Sequence, residues 1–188
     1  MRVLSLLPAA AALVPSSQPK APVAQRPATL EAAIKTADPL IAQVHAHGDA
    51  RPYVCALVAP SPIETLEFGE ACGLVTRANV DRLTAELLAN PTARSRELAE
   101  ATRPITEDAR YRERLAAAVA RGNAKLARVE RIKSFIILPR DFSQEAGELT
   151  PTMKMKRGVI EANYREVLDR AYAEEGYAIP AADNEHGR

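Results

Sequence analysis

Short apolar segments with strand character alternate with helical segments along this chain. The first strand is predicted over residues 41–47 and the second over residues 52–59, on either side of the turn sequence Gly-Asp-Ala-Arg. Apolar side chains occupy both alternating sets of positions in the second segment, which indicates a strand that is buried on both faces. A third apolar run, residues 132–138, ends at Pro139. The pattern therefore predicts about three strands.

Helical spacing dominates the rest of the sequence. A short helix is predicted from Ala28, with Thr29 as its candidate cap, and residues 61–131 are predicted to form a block of helices. One long helix in this block has a single apolar face, formed by Leu115, Val119, Gly122, Leu126 and Val129. A terminal amphipathic helix follows residue 157. Together these elements predict an α+β fold in which a small sheet of about three strands is covered by helices.

The two ends of the chain differ in composition from its centre. Residues 1–26 begin with Met1 and Arg2, followed by a short apolar run and then a Pro- and Ser-containing stretch, which fits either a signal peptide or a low-complexity leader. Pro8 interrupts the apolar run and no convincing cleavage site follows, so we favour the leader, with secretion as the alternative. Residues 27–177 form the predicted domain, and residues 178–188 form a tail.

The net charge and the composition of the chain argue against a nucleic-acid partner. Lys and Arg total 25 against 24 Asp and Glu, so the net charge is +1 and no global field attracts nucleic acid. Aromatic residues make up 4% of the chain and Trp is absent, which argues against stacking on single-stranded bases. The two cysteines form no disulfide framework, so a reducing compartment is the default. We therefore expect no nucleic-acid partner.

The segment GELTPTMKMKR, residues 147–157, leads into the predicted terminal helix. Pro151 biases Thr150 away from helical geometry, so we predict an extended or turning backbone there. The segment then provides three cations within four residues, at Lys154, Lys156 and Arg157. By itself, such a run of cations is typical of a solvated surface turn.

Two other groups of polar residues have simple structural interpretations. His45 and His47 share one face of the first predicted strand, and Cys55 lies on the predicted partner strand. Three ligands without a clear fourth favour exposed or half-buried strand histidines over a zinc site, and Cys55 is interpreted as a core residue. Glu145 and Glu148 are not placed across a substrate, so we interpret both as solvated loop residues. We predict no metal site.

Residues 147–157 resemble the C-terminal signature of the long-chain fatty-acid–CoA ligases, which are AMP-forming members of the adenylate-forming superfamily. The sequence Leu-Pro-Arg-Asp-Phe at residues 138–142 is similar to the stretch that often precedes this signature in the family. The similarity continues upstream at residues 27–31 and 48–53. It extends over roughly residues 27–177, and it implies that this region is the C-terminal lid domain of such a ligase.

The resemblance also implies an activity and a site. Ligases of this family adenylate a fatty carboxylate with ATP and then form a thioester with CoA, as acyl-CoA synthetases of fatty-acid and lipid metabolism. The family's catalytic lysine of adenylation maps onto Lys154, and the basic residue Arg157 is the candidate cofactor contact. The family's C-terminal domain swings between one orientation for adenylation and another for thioester formation. Lys154 would act in the orientation for adenylation. ATP, Mg²⁺ and CoA are the implied cofactors of the complete enzyme.

The sequence departs from the family pattern in one large respect. It contains eight glycines and no glycine-rich phosphate loop. The implied ligase would therefore depend on an N-terminal adenylation domain as its partner, and we expect the chain alone to be inactive and to bind no cofactor tightly. The resemblance implies a cytoplasmic or membrane-associated location. The alternative is a non-catalytic binding module that docks on a ligase N-terminal domain or on another protein.

Overall fold

The computed structural model describes residues 27–49, 51–91, 95–173 and 177–178. The predicted leader, and all but the first residue of the predicted tail, lie outside these ranges. No helix within them is long and apolar enough to cross a membrane. The elements in chain order are α1 (Pro27–Lys35), β1 (Ile41–His47), β2 (Val54–Pro60), α2 (Pro62–Ala71), α3 (Arg77–Ala89), α4 (Arg96–Thr106), α5 (Ala109–Asn123), β3 (Ile132–Ile137), α6 (Arg157–Asn163), α7 (Arg165–Ala173) and β4 (Tyr177–Ala178).

The strands form one mixed sheet in the order β1–β2–β3–β4. β1 is antiparallel to β2, β2 is parallel to β3, and the two-residue strand β4 pairs antiparallel with β3. A parallel pair requires a long crossover connection, and the helices α2 to α5 provide it. The predicted α+β fold with a small sheet of about three strands is confirmed, and β4 adds two residues at its edge.

β2 is the centre of the sheet, and all seven of its residues are buried. Its side chains alternate between two separate cores. The first core receives Val54, Ala56 and Val58, and the second receives Cys55, Leu57 and Ala59. The prediction of a strand buried on both faces is confirmed, because protein covers the sheet on each side.

α1 and α5 cover the first face of the sheet. Leu30 and Ile34 of α1 lie in the same core as Leu115 of α5. α1 begins at Pro27, a residue suited to a first helical position because the amide hydrogen it lacks would have no partner there. Thr29 therefore lies inside the helix and is not its cap, so that prediction was wrong.

α5 is shorter than its apolar pattern predicts. It ends at Asn123, whose side-chain amide donates to the carbonyl of Ile132 at 2.8 Å and accepts from the N–H of Ile132 at 2.9 Å. Leu126 is still buried beyond the helix end, whereas the side chain of Val129 is exposed. The polar side chain of Asn123 thus joins the end of α5 to the start of β3, which apolar spacing does not reveal.

The second face of the sheet is covered by the segment after β3 and by the last two helices. Leu149 of that segment, Ile160 of α6 and Leu168 of α7 share one core with Leu57 of β2. The predicted terminal helix is present, but it is divided at Tyr164, whose φ of −109° departs from helical geometry. The segment with the ligase-like signature is therefore built onto the sheet and is part of its cover.

Gly122 lies where α5 touches α1, and this contact can be tested. A Cβ at this position would lie 2.9 Å from both the carbonyl oxygen of Ala33 and the Cα of Ile34, so the two helices would have to separate. We expect Gly122→Ala to lower the free energy of unfolding by about 1–3 kcal/mol, the usual cost of overpacking, as measured by urea denaturation.

Gly158→Ala in α6 is the matched control, because a Cβ at that position meets no atom within 4 Å. Alanine should raise the free energy of unfolding there by about 0.5–1 kcal/mol, since glycine loses more backbone freedom on folding. If both substitutions stabilised the protein, the close approach of α1 and α5 would be contradicted.

Candidate functional site

Residues 149–155 form a closed hairpin on the second face of the sheet. Leu149 and Met155 pair as an antiparallel bridge, and the N–H of Lys156 donates to the carbonyl of Glu148 at 2.8 Å. Leu149 is buried at the base of this hairpin. The predicted turn at Pro151 is therefore confirmed, in the form of a hairpin whose base is fixed to the core.

The tip of the hairpin fixes the backbone of Lys154. Pro151 follows Thr150 at the first corner of the turn, a position that suits its restricted φ, and the N–H of Met153 closes the turn on the carbonyl of Thr150 at 2.8 Å. The N–H of Lys154 donates to the Thr150 hydroxyl at 3.0 Å, and its carbonyl accepts from the N–H of Thr150 at 2.8 Å. Both polar backbone groups of Lys154 are thus satisfied within the hairpin.

Met153 is strained at this tip. Its φ is 61°, in the left-handed region, and within the described ranges it is the one non-glycine residue with a positive φ. A side chain in this conformation costs roughly 1–2 kcal/mol, and such strain persists only where the surrounding structure enforces it. Here the hydrogen bonds on either side of Met153 enforce it, so the position of Lys154 is defined by a turn of one specific shape.

A buried ion pair anchors the base of the hairpin. Glu148 is fully buried, and its carboxylate accepts from both terminal nitrogens of Arg140, at 2.7 and 3.0 Å, and from the N–H of Ser143 at 3.0 Å. Burial works against ionisation of Glu148, but the hydrogen bonds from Arg140 and Ser143 outweigh it and hold its pKa below the usual value. The interpretation of Glu148 as a solvated loop residue was wrong, whereas Glu145 is exposed as predicted.

The side chain of Lys154 is exposed. Among the residues that the structure describes, no carboxylate forms an ion pair with it. Lys156 is exposed as well, two positions further along the chain. The backbone of Lys154 is therefore fixed while its ammonium group remains available to a ligand or to another domain.

Arg157 has a different environment from the two lysines. Its guanidinium donates to both carboxylate oxygens of Glu31, at 2.8 and 2.5 Å, and Glu31 also accepts from the N–H of Ala46 at 2.9 Å. The first residue of α6 is thereby tied to α1 and β1. A cofactor contact by Arg157 stays a prediction, and in this structure its guanidinium is engaged by Glu31.

His45 and His47 share one face of β1, as predicted, and α6 supplies the group between them. Oε1 of Glu161 lies 3.3 Å from Nε2 of His45 and 3.6 Å from Nδ1 of His47. Burial lowers the pKa of His45, and the nearby charge of Arg157 acts in the same direction. Cys55 lies opposite His47 in the sheet and is buried, as predicted for a core residue. His45 is fully buried, so the expectation of exposed or half-buried histidines was wrong for it, and the approach of Glu161 was not predicted.

The sequence of this chain was compared with those of known proteins. No protein-family model matches the chain. Over 149 residues, or 79% of its length, the chain is 35% identical to fadD11 of Mycobacterium tuberculosis, which is named as a fatty-acid–CoA ligase. It is 32% identical over the same share to the long-chain-fatty-acid–CoA ligase FadD15 of that organism. The chain is a distant homologue of part of the fatty-acid–CoA ligases. The resemblance found in the sequence is confirmed.

The chain matches only a small share of these ligases. The alignments cover 22% of fadD11 and 21% of FadD15, so the chain spans about a fifth of the length of the curated relatives it matches. A solved adenylation domain, that of the carboxylate reductase of Mycobacterium chelonae, is 25% identical with a TM-score of 0.47. That comparison covers 77% of this chain and 17% of the reductase chain.

The ion pair between Glu148 and Arg140 at the base of the hairpin can be tested directly by mutation. Glu148→Gln keeps the size of the side chain but removes the charge that Arg140 binds. We expect the free energy of unfolding to fall by about 1–3 kcal/mol in urea denaturation at pH 7, the range for losing a hydrogen bond to a charged group. Glu145→Gln, on the same loop and exposed, should change it by less than about 0.5 kcal/mol.

The lowered pKa of Glu148 also predicts how the free energy of unfolding depends on pH. The folded-state pKa of Glu148 is lowered, so its carboxylate stabilises the fold at pH values above its unfolded pKa of about 4.3. This contribution is lost as the pH falls through the lower, folded-state pKa. The difference in the free energy of unfolding between the original chain and Glu148→Gln should therefore shrink when urea denaturation is repeated at pH values below the folded-state pKa of Glu148. A difference that stays constant on acidification would contradict the ionised pair.

Proposed function

We propose that this chain acts as the C-terminal, lysine-bearing part of an ATP-dependent long-chain fatty-acid–CoA ligase of the AMP-forming class. In this proposal the enzyme adenylates a fatty carboxylate and then transfers the acyl group to CoA. The observation that carries the proposal is the position of Lys154, whose backbone is fixed at a strained hairpin tip while its side chain is exposed. The homology to fatty-acid–CoA ligases supplies the reaction class.

The chemistry of adenylation explains why a lysine at such a tip is useful. Attack of a carboxylate on the α-phosphorus of ATP concentrates negative charge on the entering and leaving oxygens. A fixed positive charge that meets these oxygens in the transition state lowers the barrier without transferring a proton. The ammonium group of Lys154 is compact and carried on a flexible stem, so a small movement of the whole domain can insert or withdraw it.

The remaining substrate-binding groups belong, in this proposal, to an N-terminal adenylation domain. A Mg²⁺ ion prefers a set of oxygen ligands. In the described part of this chain, the cluster of side chains that could hold a metal ion is His45, His47 and Glu161, and two of these ligands are imidazoles. The Mg²⁺ of the reaction therefore does not fit this cluster, and no step of the reaction is assigned to it. We accordingly expect no thioester formation from ATP, CoA and palmitate by the chain alone.

A chimaeric ligase tests the proposal. The part of FadD15 that precedes its match to this chain would be joined to residues 27–188, and acyl-CoA formation from palmitate would be measured. We expect turnover by the chimaera, and a loss on the order of 10²–10³-fold in Lys154→Ala, because one charge contact to a transition state contributes about that much. Lys156→Ala removes a neighbouring exposed cation and should retain activity within about threefold of the parent.

The outcomes separate the proposal from the alternative function. Full activity of the Lys154→Ala chimaera would overturn the role of this lysine. A folded chimaera that binds ATP but shows no turnover, combined with tight binding of the separate chain to the ligase N-terminal part, would favour the docking module instead.

A further inference from the structure

His45, His47 and Glu161 form a compact cluster between β1 and α6, which we call the His–Glu cluster. One ligand atom from each residue lies within 4.8 Å of the other two. The cluster contains none of the residues assigned to the proposed ligase reaction. Its composition, two imidazoles and one carboxylate, is that of several known metal centres with three protein ligands.

His45 supplies the second and independent observation. Its side chain is 0% exposed, and neither ring nitrogen has a hydrogen-bond partner. Nε2 approaches Oε1 of Glu161 without hydrogen-bond geometry. Leaving a buried polar atom unpaired destabilises a fold, so such atoms in folded proteins call for an explanation. A cation between Nε2 and the Glu161 carboxylate would give both groups a partner.

The distances agree with this explanation. In a tetrahedral zinc site with bonds of about 2.0–2.1 Å, two ligand atoms are separated by roughly 3.3 Å. Oε1 of Glu161 lies 3.3 Å from the ligating nitrogen of His45 and 3.6 Å from that of His47. The third pair, Nε2 of His45 and Nδ1 of His47, lies within 4.8 Å. A single ion could therefore contact all three side chains if the partly exposed ring of His47 and the carboxylate of Glu161 shift towards it.

We propose that His45, His47 and Glu161 bind one divalent transition-metal ion, and that Zn²⁺ is the ion this ligand set fits best. The three ligands leave a fourth coordination position for water or a small anion. His45 Nε2, His47 Nδ1 and Glu161 Oε1 are the assigned donor atoms. This assignment departs from the sequence-based prediction of no metal site, which considered Cys55 as the third ligand and did not include Glu161.

The surroundings give an ion access to the cluster. A pocket of about 220 Å³ is lined by His47 and Glu161 together with Arg51, Arg165, Leu168 and Asp169. Arg51 and Asp169 neutralise each other in an ion pair of 2.6 Å. The hydroxyl of Tyr172 donates to the carbonyl of His47 at 2.8 Å and holds the end of β1 in place. The pocket thus opens on the two partly exposed ligands, His47 and Glu161, whereas His45 is fully buried and does not line it.

Zinc titration of the 188-residue chain by isothermal calorimetry tests this site. We expect one Zn²⁺ to bind per chain, and Glu161→Gln and His47→Gln each to weaken binding by at least about tenfold, since even partners of metal ligands contribute this much. These two variants alter partly exposed residues, so they avoid the buried His45, whose replacement could unfold the protein. Circular dichroism spectra of both variants would check that they remain folded.

Two matched controls and a spectroscopic measurement complete the design. Glu166→Gln changes an exposed acid on α7, and His186→Gln changes the third histidine of the sequence, so neither should alter zinc affinity. The Co²⁺ form should show visible bands of a low-coordinate nitrogen and oxygen site without a sulfur charge-transfer band. Absence of zinc binding, unchanged affinity in Glu161→Gln and His47→Gln, an equal loss in His186→Gln, or a sulfur band from the cysteines would each overturn the assignment.

Discussion

The complete burial of β2 is the constraint on which the rest of the structure depends. A strand with apolar side chains on both faces must be covered on both faces, and α1 and α5 cover only one of them. The second cover is made by the segment after β3 together with α6 and α7. The ligase-like sequence therefore forms part of the core, and this position orients the hairpin that carries Lys154.

Two carboxylates hold the signature segment, residues 147–157, in place on the second face of the sheet. Glu148 accepts from Arg140 inside the loop, and Glu31 of α1 accepts from Arg157 at the start of α6. A buried or half-buried carboxylate without such a partner would be costly, so both acids hold the chain in one arrangement. Of the cations in the signature, Arg157 is used in this way, while Lys154 is left exposed at the tip.

The sequence predicted those parts of the molecule that depend on local patterns. A short continuous apolar run located β2, and Pro151 correctly indicated a turn before Lys154. Contacts between side chains that follow no periodic pattern were not predictable from one sequence: Glu148 looks like any loop acid until Arg140 is folded against it. Glu161 and the histidine pair lie far apart along the chain, and only the packing of α6 on β1 brings them together. The end of α5 was missed for the same reason, because Asn123 bonds to β3.

In the proposed function, Lys154 would supply positive charge during adenylation and would take no part in thioester formation. The most direct measurement compares the two half-reactions in the chimaeric ligase: pyrophosphate release from ATP and palmitate, and acyl transfer to CoA from added palmitoyl-adenylate. We expect Lys154→Ala to lose the first by on the order of 10²–10³-fold and to keep the second near the parent rate. An equal loss in both half-reactions, or none in adenylation, would contradict the account.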